Sequence, residues 1–186
     1  MKAGKNFALA ALLLFAIGIL AAGTVEVDLG AVSSRIGLSG SSESWQFGPR
    51  VSISQEFSPF GTKGLIIPSA LVSVRFQSLA ASRPGIDGSL YRAWQALGLG
   101  AFLGARHRLD PIEVSLHGGG FLNLSKYTGT GLLGAHPSLA GTLGATWAFS
   151  DRVTFKLSLP LEYAWKAGAG ALSLGVSAGL QIRGKP

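Results

Sequence analysis

The sequence predicts an all-β fold, an eight-stranded antiparallel up-and-down transmembrane β-barrel, on three observations. Between residues 24 and 183, apolar side chains recur at every second position in segment after segment, the period of a strand with two unlike faces. The intervening positions carry Gly, Ser and isolated charges instead of a Lys/Glu coat; charged residues are 13% of the chain and mean hydropathy is +0.38. After residue 23 no apolar stretch approaches the ~20 residues that a spanning helix needs, so helical insertion is excluded and strand insertion is not.

The first element is a signal peptide over 1–23. Lys2 and Lys5 precede an apolar run at 7–20, and Ala21 and Gly23 occupy the small-residue positions of a cleavage site. A retained anchor is the rival reading, but the 16 residues 7–22 span roughly 24 Å as a helix, against a hydrocarbon core of about 30 Å. The mature barrel domain is then 24–186, one domain's worth of chain. With no Cys there is no disulfide framework, no thiolate metal site and no cysteine to carry a covalent lipid at the cleavage point.

Eight strands follow at 24–36, 44–57, 64–77, 90–105, 112–124, 138–149, 152–165 and 171–183. The second ends in a tight turn at Phe57-Ser58-Pro59-Phe60, the fourth in Arg106-His107-Arg108-Leu109-Asp110-Pro111, and the sixth in Phe149-Ser150-Asp151-Arg152. Looser polar or Gly-rich stretches at 39–44, 78–89, 125–137 and 166–170 close the other strands. Short turns at one end and longer loops at the other put both termini on the short-turn side, the periplasmic side of a bacterial outer membrane. Each strand exceeds the ~9–11 residues of a tilted crossing. Pro68 and Pro160 cost ladder hydrogen bonds, so bulges or frayed ends are expected there.

Alternation alone does not say which face points outward, because a soluble lipocalin-like barrel has the same period with its faces exchanged, and a β-sandwich would bury the same aromatics. The aromatics Trp45, Phe57, Phe76, Tyr91, Trp147, Phe149, Tyr163 and Trp165 stand at strand ends, as two interfacial girdles require. The opposite face holds Ser52, Ser54, Ser73, Gly98, Gly100, Ser115 and Gly119, small enough for the crowded interior of eight strands. The apolar face is therefore assigned to lipid. In the seventh strand this sends Phe155, Leu157 and Leu159 outward and Thr154 and Ser158 inward.

The same register turns Glu26, Asp28, Arg50, Glu56, Arg75, Arg92, Glu113, His117, Lys156, Glu162 and Arg183 into the lumen, since a lipid-facing cation at midplane costs about 2–4 kcal/mol. Glu26 and Asp28 open the first strand where Arg183 closes the last, which predicts an ion pair across the seam. A satisfied network that fills the lumen is the plain reading of these charges.

The chain resembles the small eight-stranded outer-membrane barrel proteins, the group of OmpX, OmpW and the transmembrane domain of OmpA. The resemblance spans the mature chain and rests on the signal, the Gly-rich alternating strands and turns such as Arg108-Leu109-Asp110-Pro111. It implies a bacterial outer-membrane location and a non-enzymatic structural or surface-contact role. The likeness to OmpW implies an alternative, a narrow channel or transport protein for small apolar or anionic solutes. Trp94, Phe102, Phe121 and Leu71 would be its inward lining, although the same residues would equally plug the lumen.

Loss of Lys2 and Lys5 leaves 14 basic and 9 acidic residues, a formal +5. Most of the excess lies in the loop half, where Arg35, Arg50, Arg75, Arg83, Arg92, Lys126 and Lys166 face Glu43, Asp87 and Glu162. A cationic mouth suits outer-membrane lipid and anionic glycolipid, or a small solute or surface ligand, and not nucleic acid, because no Lys/Arg face is clustered. A monomer is expected.

One constellation has catalytic parts. His136 and Ser138 begin the sixth strand, and folding about the 149–152 turn brings Glu162 diagonally close. A hydroxyl, a base and a carboxylate are what acyl transfer needs, and the His-x-Ser pair is similar to that of the outer-membrane lipid A deacylase PagL in that fragment. No metal or cofactor is implied: His107, His117 and His136 lack zinc spacing, and Gly98-Leu99-Gly100 lies in a strand instead of a phosphate loop.

Overall fold

The period of two carries directly into the architecture. A computed structural model describes residues 23–38, 44–61, 63–81, 94–127, 134–166 and 169–183; side chains at 36–38, 44, 45, 81, 127, 166 and 169 lie outside the description. The strands are β1 (Thr24–Leu38), β2 (Ser44–Phe57), β3 (Ile66–Ala81), β4 (Trp94–Leu109), β5 (Ile112–Tyr127), β6 (Gly134–Ala148), β7 (Val153–Lys166) and β8 (Ala169–Arg183). Each pairs antiparallel with its sequence neighbours, and β1 pairs with β8 from Thr24↔Arg183 to Leu38↔Ala169, closing the barrel. Closure removes sheet edges, so the strands satisfy one another's backbone groups without water.

Side chains alternate across this wall as a membrane solvent demands. In β7, Thr154, Lys156, Ser158 and Glu162 are buried, whereas Leu157 is 42% and Leu159 55% exposed. Leu29, Leu99, Leu103, Leu116, Leu139 and Val176 are exposed on other strands. A lipocalin-like carrier would show the reverse, apolar inside and polar outside. Among the described residues no helix is long and apolar enough to cross a membrane.

The strand ends differ from the expected ones. β3 starts at Ile66 and reaches Ala81, because the turn after β2 occupies 58–65, with Gly61 and Gly64 at positive φ. β4 runs four residues further toward the turn than expected, to Leu109, so Arg106, His107 and Arg108 belong to the strand and Asp110 and Pro111 alone make the turn. β6 begins at Gly134, which shortens the loop before it.

The prolines behave differently from one another. Pro68 pairs with Ala105 of β4 but lies beyond the last β2 pair, Phe57↔Ala70, so its missing N–H faces an unpaired side, as at a frayed end. At Pro160 the expected bulge is absent. Pairing with β8 stops after Ser158↔Ser177 and resumes at Leu161↔Leu174 in the same register, a gap without an extra residue.

Candidate functional site

The lumen gathers the polar chemistry of the chain, and its centre is a knot between opposite walls. Arg75 of β3 points across the barrel to Glu162 of β7, donating from both amino groups; the Nη2–Oε1 bond is 2.9 Å. Arg75 Nη2 also donates to Asn123 Oδ1 at 2.6 Å, and its guanidinium carbon lies 3.9 Å from the centre of the Phe121 ring. Glu162 Oε1 further accepts from Ser138 Oγ at 2.6 Å and from Asn123 Nδ2 at 3.3 Å. This crossing needs β4 to contribute no side chain beside it: a Cβ on Gly98 would stand 2.7 Å from Asn123 Oδ1 and 3.2 Å from Arg75 Nη2.

Two further clusters lie toward the turn end. Lys156 donates to both Glu26 oxygens at 2.8 Å, and Gln181 Nε2 donates to Glu26 Oε2 at 2.7 Å while accepting from Thr154. The seam is thus stitched from β7 and β8, and not by Arg183 as the sequence suggested. Arg183 stands opposite Thr24, half-exposed, one step outside Glu26. Asp28 is buried and accepts from Ser52 at 3.4 Å.

In the other cluster Arg106 pairs with Glu56 at 3.0 Å and Glu113 at 3.1 Å and donates to Ser58 Oγ at 2.7 Å, with Arg108 reaching Glu113 at 3.6 Å. A His117 ring nitrogen sits 2.8 Å from Ser69 Oγ and 3.5 Å from Glu56. Arg50 is half-buried, and Arg92 lies outside the described residues.

Arg106, expected in the turn, is a lumen residue of β4, on the same face as Gly98 and Phe102 when counted by twos along the strand. Asn123, Gln46, Gln77 and Gln181 are also buried in the lumen, uncharged amides that alternation places there but that no charge or catalytic pattern marks in the sequence.

Apolar side chains cross the lumen as well. Leu71, Phe102 and Phe121 form one buried cluster, the two rings edge to face at 5.1 Å. Val32, Leu79, Trp94, Ala96, Ala164 and Ala171 form a second, nearer the loops. Between the first cluster and the Glu26–Lys156 pair lies a cavity of about 40 Å³, edged by Asp28, Arg50, Ser52, Ser177 and Thr142. That is room for a few waters.

The residues with catalytic parts all face this interior. Ser138 pairs with Ala164 across the β6–β7 ladder, which sets its hydroxyl on Glu162. His136 is buried, stacks on Trp94 with ring centres 5.8 Å apart, and has Nδ1 3.3 Å from Ser125 Oγ. The serine hydroxyl donates to the carboxylate and accepts from Asn123 Nδ2 at 3.0 Å, and that carboxylate is held by Arg75.

On the outside, Tyr163 and Trp165 meet edge to face at 5.1 Å at the loop end, while Trp147 and Phe149 gather about Phe155 at the turn end, with Phe57 on β2. Phe76 faces outward opposite Val51, but the extension of β3 to Ala81 leaves it inside the strand and not at its end. Trp45 and Tyr91 fall outside the described side chains, as do Arg83, Lys166, Glu43 and Asp87 of the cationic mouth. Arg35 and Lys126 are exposed at the loop end.

No protein-family model matches the sequence, and no curated protein matches it. Solved structures do match in fold. Neisserial surface protein A superposes with a TM-score of 0.58 at 15% identity, covering 87% of this chain and 99% of that one. The attachment invasion locus protein Ail of Yersinia pestis gives 0.50 at 14% identity over 87% and 100%. The outer membrane enzyme PagL gives 0.53 at 11% identity over 81% and 97%. At such identities the likeness is one of fold: this chain has the architecture of the small outer-membrane β-barrels.

Proposed function

We propose that this chain is an integral outer-membrane barrel, sealed along its lumen, whose role is structural or surface contact and not catalysis. The proposal includes export by a cleaved signal over 1–23, periplasmic termini, outward loops and a monomeric state. The observation that carries it is the cross-section. Leu71, Phe102 and Phe121 fill one side of the lumen, and Arg75 with Glu162 crosses to the other. Apolar rings and a buried ion pair that share one level support a lumen closed to solutes larger than water. The exposed Arg35 and Lys126 support contact at the loop end with outer-membrane lipid, including anionic glycolipid, or with an acidic surface ligand.

Planar-bilayer recording tests the seal: the purified protein is expected to give no discrete openings, and a reproducible unit conductance would overturn it. That result would favour the alternative of a narrow channel, in which Phe102 and Phe121 part. The fold serves surface proteins and an enzyme alike, so it does not choose between them. Against the deacylase alternative stands the commitment of Ser138 to a carboxylate already bonded to Arg75. Mass spectrometry of lipid A incubated with the wild type and with Ser138→Ala is expected to find unchanged acyl content in both; a loss of acyl chains with the wild type alone would overturn the non-catalytic reading.

A further inference from the structure

The three connections at the turn end are not alike. Asp110 and Pro111 join β4 to β5 and residues 149–152 join β6 to β7, but β2 and β3 are joined across 58–65. Both ends of this longer loop are tied to β4. Arg106 donates to Ser58 Oγ at 2.7 Å, and the Arg108 backbone N–H donates to the Leu65 carbonyl at 3.2 Å. Within it the Gly61 N–H donates to Ser58 O at 3.0 Å, and Gly61 and Gly64 take φ values of 90° and 120° that only glycine adopts readily.

What this held loop presents is apolar. Phe60 is 83% exposed, and Leu65 and Ile66 are each 64% exposed. Lys63 is the only charged residue in 58–65 and is exposed as well, and Arg108 stands half-exposed beside Leu65. Phe57 and Ile66 lie in strands on the lipid-facing side, so the loop continues the apolar wall past the ends of β2 and β3. A phenylalanine left this bare in water forfeits the burial of its ring, whereas the membrane boundary takes an aromatic body and a cation together.

We propose that the β2–β3 loop is an interfacial lipid anchor, with Phe60 and Leu65 in the boundary between headgroups and acyl chains of the turn-side leaflet and Lys63 on lipid phosphate. The anchor rests on the membrane reading above. Continuity with the lipid-facing wall and the sign of the loop's charge select phospholipid over a water-borne protein partner as the occupant.

The chain has no cysteine, so Phe60→Cys carries a single spin label. In vesicles of zwitterionic and anionic phospholipid, its collision rates with oxygen and with a water-soluble nickel chelate are compared with those of labels at Leu159→Cys on the wall and Asp151→Cys in the β6–β7 turn. Gel mobility with and without heating verifies that each variant is folded. The anchor predicts that the label at 60 meets the nickel chelate several-fold less than the label at 151, with oxygen dominant as at 159, and that adding Lys63→Glu moves it toward water. Nickel-dominated collisions at 60 with oxygen dominant at 159 overturn the anchor alone, as does shielding from both reagents. Nickel dominance at 159 too overturns the membrane reading beneath it. If Lys63→Glu changes nothing in anionic vesicles, the phosphate contact falls.

Discussion

Replacing Glu162 by glutamine removes one charge from the middle of the lumen and leaves Arg75 without the carboxylate it pairs with. Arg75 is 0% exposed, so bulk water does not take the carboxylate's place. Removing one partner of a buried pair costs about 3–5 kcal/mol. Glutamine keeps one oxygen, which still accepts from Ser138 or Arg75, so the loss is expected at the lower end, about 3 kcal/mol. The Phe121 ring against the guanidinium does not soften this, because it is present in both proteins. At about 1.4 kcal/mol per tenfold, the folding equilibrium constant falls roughly a hundredfold.

Urea unfolding in lipid vesicles, followed by tryptophan fluorescence and gel mobility, measures it. Arg75→Met alone is expected to be as costly, since it strands Glu162. Arg75→Met with Glu162→Met should recover most of either loss, because an apolar replacement of both partners is near neutral. Single losses that simply add in the double variant, with coupling below about 0.5 kcal/mol, would refute the claim that these two charges are held for each other.

The same titration separates two expectations at the seam: Lys156→Met is expected to cost about 3 kcal/mol by stranding Glu26, and Arg183→Glu less than about 0.5 kcal/mol. Equal losses would return the seam to Arg183. A Cβ at Gly100 would lie 2.5 Å from Phe121 Cδ1 and 2.9 Å from Phe102 Cε2, so Gly100→Ala is expected to destabilise by about 1–3 kcal/mol, relieved by Phe121→Leu. A Gly100→Ala barrel as stable as the wild type would mean that the rings are not packed as described.

Strand number, order and facing were legible because each is a local property. Alternation in β7 fixes which residues share a face, the strand-end aromatics and the small residues opposite them say which face turns outward, and the turns at Asp110-Pro111 and 149–152 fix the hairpins. Strand ends were less legible, since a charge such as Arg106 suits a turn and a lumen equally until the register of β4 against β3 and β5 is known. Inside the lumen Ser138 and Glu162 were legible as diagonal neighbours on adjacent strands, but partners from strands that do not pair were not. Arg75 and Glu162 stand on β3 and β7, and Lys156 reaches Glu26 from two strands away. Long side chains in a narrow barrel meet across it, whereas adjacency along the ladder, the only neighbourhood the sequence displays, points to Arg183.

The same inversion limits what titratable residues say about function here. In a water-soluble protein a buried Ser–Glu–Arg contact at a cleft invites a catalytic reading, because burial of charge there needs a reason. In a barrel bounded by lipid the interior is the only place such groups can go, so burial, short bonds and a nearby histidine follow from solvation alone. The burial of Ser138, His136 and Glu162 in the lumen therefore does not by itself point to catalysis. The informative departures are the opposite kind, apolar residues where the membrane does not require them. Phe60 on its glycine-hinged loop is such a residue, exposed beyond the strands, where the loop is held by the Arg106 side chain on Ser58 and the Arg108 backbone N–H on Leu65.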